Sequence, residues 1–433
     1  MEAILWFGSF VAALIILMAF RVPVAISMGL IGMAGTATFV SAGAVSQIAN
    51  IAFTQSTSFI LVVVPLFILM GEIIAISGLG TSLFRAAALW TSRLPGGLAV
   101  GTVAACAGFA SVCGSSPVTA ATIGAVSVPE MIRNGYSRKL AFGATAAGGT
   151  LGILIPPSVP MILYGVITET SIGSLFIAGI LPGIMMAVLL SALIVIQVLL
   201  KPELAPRMKE RPALKERIGS LGEAGPVVLI ALAVIASIYT GVATPTEAGA
   251  VGAVAAIVTA VVLRKLNIRI FAAALDGTVR TTAMFMLLLI GGLFSSFALT
   301  RLGVPQEMST FLTSLDVAPW MIIVVINIFL LILGMFLDPL SILVIVVPIF
   351  LKAVVALGYD PIWFGIIITI QIEIAAITPP LGFNLFVLRK VVPDSDFNDI
   401  VGGSVIFVIP LLVGIGLLMV FPEIALFLPR LAN

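Results

Sequence analysis

Apolar runs of roughly 20 residues recur along the whole chain, the length at which a helix rising about 1.5 Å per residue crosses a hydrocarbon core of about 30 Å. The pattern predicts spans near 3–20, 23–42, 58–77, 140–167, 173–200, 225–242, 246–263, 281–299, 361–390 and 402–427, about ten full crossings. Glu2 stands where a signal peptide is basic, and Arg21-Val22-Pro23 follows where a cleavage site needs small residues, so the first run reads as a retained span. Two further apolar stretches, 98–128 and 319–357, are interrupted near their middles by Ser115-Ser116-Pro117 and Asp338-Pro339. They read as re-entrant hairpins.

Composition makes the membrane reading firm. Only 9% of the 433 residues are charged and 61% are hydrophobic, with a mean hydropathy of +1.28, against about 25% charged in soluble domains. A soluble enzyme is excluded. The chain has no His, which removes the usual imidazole proton relay, haem ligation and His-bound zinc. No Lys precedes Ser or Thr, so there is no Walker A pattern. Cys106 and Cys113 lie about 10 Å apart along a helix, too far for a disulfide. If both hairpins turn back on their own side, 18 of the 21 Lys+Arg share one face, among them Arg21, Arg85, Arg133, Arg138, Lys139, Lys201, Arg217, Arg264, Arg389 and Lys390. The positive-inside rule puts that face in the cytoplasm and both termini outside.

The two halves of the chain echo each other. Gly135-Tyr136 followed by Pro156-Pro157 recurs as Gly358-Tyr359 followed by Pro379-Pro380 at an offset of 223 residues, and Ser116-Pro117 recurs as Asp338-Pro339 at 222. Each half reads as three spans, a polar arm (78–97 and 300–318), a hairpin, a span broken by Pro-Pro and a final span. Five crossings is an odd number, so the second copy runs upside down, as in the inverted-topology repeats of secondary transporters. The expected fold is an all-α polytopic membrane protein: a first repeat over 1–200, a solvated cytoplasmic linker over 201–224 and a second repeat over 225–433.

Backbone that is not helical at membrane depth must be buried in protein or face a cavity. The hairpin tips, Ser111 to Thr119 and Gly334 to Ser341, are such places. So are the breaks at Ile155-Pro156-Pro157-Ser158 and at Thr378-Pro379-Pro380-Leu381-Gly382-Phe383-Asn384. Proline withholds an amide donor and turns the preceding residue out of the helix, freeing carbonyls. A tip facing the broken span of its own repeat offers oxygens suited to Na⁺, and the half-helix N-termini attract an anion. Candidate substrate-binding side chains beside these breaks are Ser116, Thr119, Ser158, Asp338 and Asn384. A hydroxyl in a membrane helix ordinarily bonds its own preceding carbonyl, which is the plain reading of Ser111 and Thr119. An acid at membrane depth costs about 2.5–3.5 kcal/mol on insertion scales, so Asp338 marks a functional site or caps the half-helix opened by Pro339. Gln371 and Glu373 either face the site or bond across helices. Gly148, Gly149 and Gly152 suit tight packing or an ion site, whereas Gly29, Gly32, Gly35, Gly249 and Gly252 read as helix contacts. Glu72 and Glu247 read as interfacial.

At these residues the chain resembles the large membrane subunit of tripartite ATP-independent periplasmic (TRAP) transporters, the DctM-like family. The resemblance covers essentially the full length. It is carried by Cys113-Gly114-Ser115-Ser116 to Gly124, Gly148 to Ser158, Gly334 to Pro339 and Thr378 to Asn384. It implies a sodium-driven importer of organic acid anions in the bacterial inner membrane, moving its site as an elevator. The partners it implies are a small four-helix membrane subunit, expected here as a separate chain, and a periplasmic substrate-binding protein; membrane lipids surround it and nucleic acid has no part. Carried over, Ser115, Ser116, Gly148, Gly149, Ile155 and Pro156 resemble a first sodium site, and Gly334, Asp338, Thr378 and Pro379 a second. Related proteins often have an acid in the first hairpin after the Ser-Ser pair, where this chain has Pro117-Val118-Thr119-Ala120.

Two other classes are weaker. An intramembrane enzyme lacks a His for a Ser-His dyad, and only Asp338 and Glu373 are even conceivable as paired acids. A channel, or a stand-alone divalent-anion/sodium symporter of the same inverted-hairpin architecture, would work without a binding protein.

Overall fold

The computed structural model describes residues 2–206, 213–392 and 395–432, and every regular element among them is helical. The first half comprises α1 (Glu2–Ala19), α2 (Val24–Gly35), α3 (Gln47–Ser56), α4 (Val63–Ile76), α5 (Leu79–Thr91), α6 (Gly97–Cys113), α7 (Ser116–Arg133), α8 (Arg138–Thr150), α9 (Val159–Thr168) and α10 (Ile172–Leu200). The second comprises α11 (Leu214–Tyr239), α12 (Pro245–Val262), α13 (Ile268–Arg301), α14 (Val304–Thr313), α15 (Pro319–Gly334), α16 (Pro339–Ala356), α17 (Pro361–Ala376), α18 (Phe383–Val391), α19 (Phe397–Ser404), α20 (Val408–Val420) and α21 (Glu423–Ala432). Among the described residues seven helices are long and apolar enough to cross a membrane.

Both interrupted stretches are helix pairs. α6 stops where Gly114 takes a left-handed φ of 64°, a conformation that glycine adopts without a Cβ penalty. α7 then starts with Pro117 in its first turn, where proline costs no hydrogen bond. α15 ends at Gly334 without a left-handed residue, and α16 likewise starts with a proline, Pro339, in its first turn. The two Pro-Pro segments separate α8 from α9 and α17 from α18, and both Pro156–Pro157 and Pro379–Pro380 are cis. The polar arms are the helices α5 and α14, entered through left-handed Gly78 and Gly303; they pack on α6 and α16.

Helices in lipid gain little from burying apolar surface against one another, so close approach matters more. A Cβ on Gly32 would lie 3.0 Å from Ser295 in α13, whose hydroxyl donates to Met28 O at 2.5 Å. Gly249 and Gly252 similarly admit Leu66 and Met70 of α4. These glycines are helix contacts.

Three expectations need correction. The 201–224 linker is helical from Leu214 on, because it docks on the arm: Trp90 Nε1 donates to Arg217 O at 3.2 Å, Arg217 Nη2 to Ser92 Oγ at 3.1 Å, and Arg85 pairs with Glu223. Its Arg207, Lys209, Arg211 and Pro212 lie outside the described residues. The last span is Phe397–Val420 and stops short of 427, since the chain leaves the helix at Phe421-Pro422 and α21 packs separately on α10. Glu72 is half-buried beside α13, with its carboxylate 3.1–3.2 Å from where a Cβ on Gly277 would stand.

Candidate functional site

The first tip closes against the break in its own half. Gly114 O accepts from Val159 N at 3.4 Å. A Cβ on Gly114 would lie 2.6 Å from Pro157 O, and one on Gly152 would lie 2.7 Å from both Ser115 O and Thr119 Oγ1. Thr119 donates to Ser115 O at 2.8 Å, the local bond expected of a membrane hydroxyl. Ser158 caps α9, accepting from Met161 N, and donates to Ile153 O. With Pro156 and Pro157 in place, Gly152 and Ile153 lose the amides that would bond them at i+4, and the Ser158 hydroxyl satisfies the second of these carbonyls. Ile155 is half-buried and Pro156 buried. Gly148 and Gly149 are packing positions at their Cα: a Cβ would stand 3.1 Å from Cys106 Sγ and 2.6 Å from Ala120 Cβ.

The second tip repeats the arrangement. Met335 O accepts from Leu381 N at 3.3 Å, and Gly334 lies against Ala375 of α17. Half-buried Asp338 caps α16, accepting from Leu340 N at 3.1 Å, Ser341 N at 3.2 Å and the Ser341 hydroxyl. Thr378 Oγ1 donates to Ile374 O at 2.6 Å, and Pro379 is half-buried.

Asn384 joins the second broken span to the first tip. Asn384, in the first turn of α18, is buried; its Nδ2 donates to Ser116 Oγ at 2.8 Å and to Ala146 O at 3.2 Å, while Oδ1 lies 3.1 Å from the same hydroxyl. The broken span of the second half therefore reaches the tip of the first hairpin. The N-termini of α7, α9, α16 and α18 all start from the breaks; the first amides of α9 are taken by Gly114 O and Ser158 and those of α16 by Asp338, so the ends of α7 and α18 are the ones whose dipoles favour an anion. An open apolar groove of about 610 Å³ runs between α6 and α10, lined by residues such as Val100 and Val188, and borders the first break at Ile155. On α17, both Glu373 oxygens and both Gln371 amide atoms are buried without a hydrogen-bond partner.

A family model described as "Tripartite ATP-independent periplasmic transporter, DctM component" matches residues 11–424. The chain is 36% identical over 403 residues to the C4-dicarboxylate TRAP transporter large permease protein DctM of Pseudomonas aeruginosa, covering 92% of this chain and 93% of that one. It is 35% identical to the isethionate TRAP transporter permease protein DctMQ of Oleidesulfovibrio alaskensis, covering 89% of this chain and 60% of that one. Other relatives bear the names of sialic acid and ectoine permeases, so substrate varies among homologues. In fold the chain is similar to the Alcanivorax borkumensis YdaH transporter, with a TM-score of 0.57 at 15% identity over 86% of each chain. Neisseria gonorrhoeae MtrF gives a TM-score of 0.57 at 14% identity, over 87% of this chain and 83% of that one. These likenesses bear on the all-helical, multi-span architecture. The chain belongs to the DctM component family of tripartite ATP-independent periplasmic transporters, and is a large transport permease, not an enzyme.

Proposed function

We propose that this permease imports an organic acid anion down a sodium gradient across the bacterial inner membrane. The anion is of the C4-dicarboxylate, sugar-acid or keto-acid class, and a periplasmic binding protein delivers it. A small four-helix subunit forms the scaffold with the spans outside the tips, and the two halves are inverted repeats with both termini periplasmic. Sodium ions bind at Ser115, Ser116, Gly148, Gly149, Ile155 and Pro156, and at Gly334, Asp338, Thr378 and Pro379. The anion lies between the tips, near Ser116, Thr119, Ser158, Asp338 and Asn384, and the tip-bearing unit moves as an elevator.

The observation that carries this reading is the matched closure of each tip on a broken span, Gly114 O with Val159 N and Met335 O with Leu381 N. Unwound backbone held against a buried polar turn is the arrangement in which carbonyls serve as ion ligands at membrane depth. Alanine at Ser115, Ser116 and Asp338, tested singly, is expected to lower sodium-dependent uptake while the protein stays folded. Unchanged uptake in all three would sink the site assignment.

A further inference from the structure

Glu373 has no exposed surface, and neither carboxylate oxygen has a hydrogen-bond partner. Its surroundings follow from the contacts of α17. Gly365 lies against Tyr164 of α9 and Leu175 of α10, Ala375 against Gly334, and the Trp363 indole donates to Leu418 O of α20. At about 100° per residue, Glu373 falls about 80° from Gly365 and about 80° from Trp363, on the side away from Ala375. It thus occupies the sector between α9/α10 and α20. Tyr164 Oη reaches Pro361 O at the start of α17, so the later turns of α17, which carry Glu373, are those that meet the Leu151–Ile153 turn.

Among the described residues no counter-charge is built into that sector. α9, α10 and α20 carry no charged side chain, Arg430 of α21, which also packs on α17, is exposed and paired with Glu423, and the two on α8, Arg138 and Lys139, lie in its first turn, at the far end from Thr150. A bare carboxylate there is strongly disfavoured. A neutral carboxyl would still need an acceptor for its proton, and neither oxygen has one. A bound cation satisfies both oxygens together. Thr369, buried and one turn earlier between Gly365 and Glu373 on the wheel, adds a hydroxyl oxygen whose proton is already committed to Gly365 O. Among the described residues no group of three acids, His or Cys gathers for a divalent ion, and one carboxylate neutralises one positive charge.

We propose that Glu373, with Thr369, binds a monovalent cation of the sodium class at a site between the two halves, separate from both hairpin tips. The inference rests on the sodium-coupled reading above. The test is thermal unfolding of the purified full-length chain, titrated with sodium chloride against choline chloride at constant ionic strength. Glu373→Gln is expected to raise the sodium concentration giving half-maximal stabilisation about tenfold or more, and Thr369→Val to move it the same way. Thr369→Ser should leave it unchanged. A wild-type sodium response with an unshifted Glu373→Gln curve overturns the Glu373 site alone. A wild type that ignores sodium overturns this site and the sodium-coupled reading together. If Glu373→Gln does not fold, Thr369→Val carries the decision, and its unshifted curve overturns the proposal.

Discussion

At the scale of single residues, the contact between Ser116 and Asn384 ties the first hairpin to the second broken span. Removing the Asn384 amide leaves the buried Ser116 hydroxyl and Ala146 carbonyl short of a donor. Asn384→Ala should therefore destabilise the protein by about 1–3 kcal/mol. A lowered melting temperature together with reduced uptake is the expected result; a melt and uptake both equal to wild type would remove Asn384 from the account. Gly152→Ala places a Cβ 2.7 Å from Ser115 O and Thr119 Oγ1, so the tip must back away from the break and uptake should fall. Gly8→Ala, which meets nothing within 4 Å, should transport normally. Both partners of the cross-half bond are legible in the sequence as polar residues beside helix breaks. Their pairing is not, because a separation of 268 residues leaves no trace in local pattern. Glu373 is visible only as an acid in an apolar run, and its isolation emerges from what surrounds α17.

At the scale of elements, interruptions in apolar runs are the most legible feature, since Gly114, Pro117, Asp338-Pro339 and the Pro-Pro pairs restrict the backbone locally. The breaks fall at those residues. Short helices such as α3 and α21, and the docked part of the linker, escape sequence reading. Arg217 looks solvated until Trp90 and Ser92 are placed beside it. Asp338 can be divided experimentally into cap and charge. Asp338→Ala removes the cap on α16, a loss of about 0.5–2 kcal/mol, whereas Asp338→Asn keeps a good capping group without the carboxylate. If the carboxylate takes part in cation binding, Asn should fold like wild type yet need more sodium for half-maximal uptake. Equal sodium dependence in Asn and wild type would reduce Asp338 to a helix cap.

At the scale of the whole molecule, the proposed inverted arrangement predicts sidedness. Both native cysteines are buried. Cysteines introduced singly at Lys201 and Lys265 should therefore react with an impermeant thiol reagent only from the cytoplasm, and those at Glu169 and Val242 only from the periplasm. Reaction of all four from one side would contradict the topology. Transport coupled to sodium and dependent on a delivered substrate is measured most directly as uptake of a labelled organic acid into liposomes holding this chain and its small subunit. Uptake that needs both an inward sodium gradient and the cognate binding protein is the expected result; equal uptake without the binding protein, or without sodium, would contradict the account.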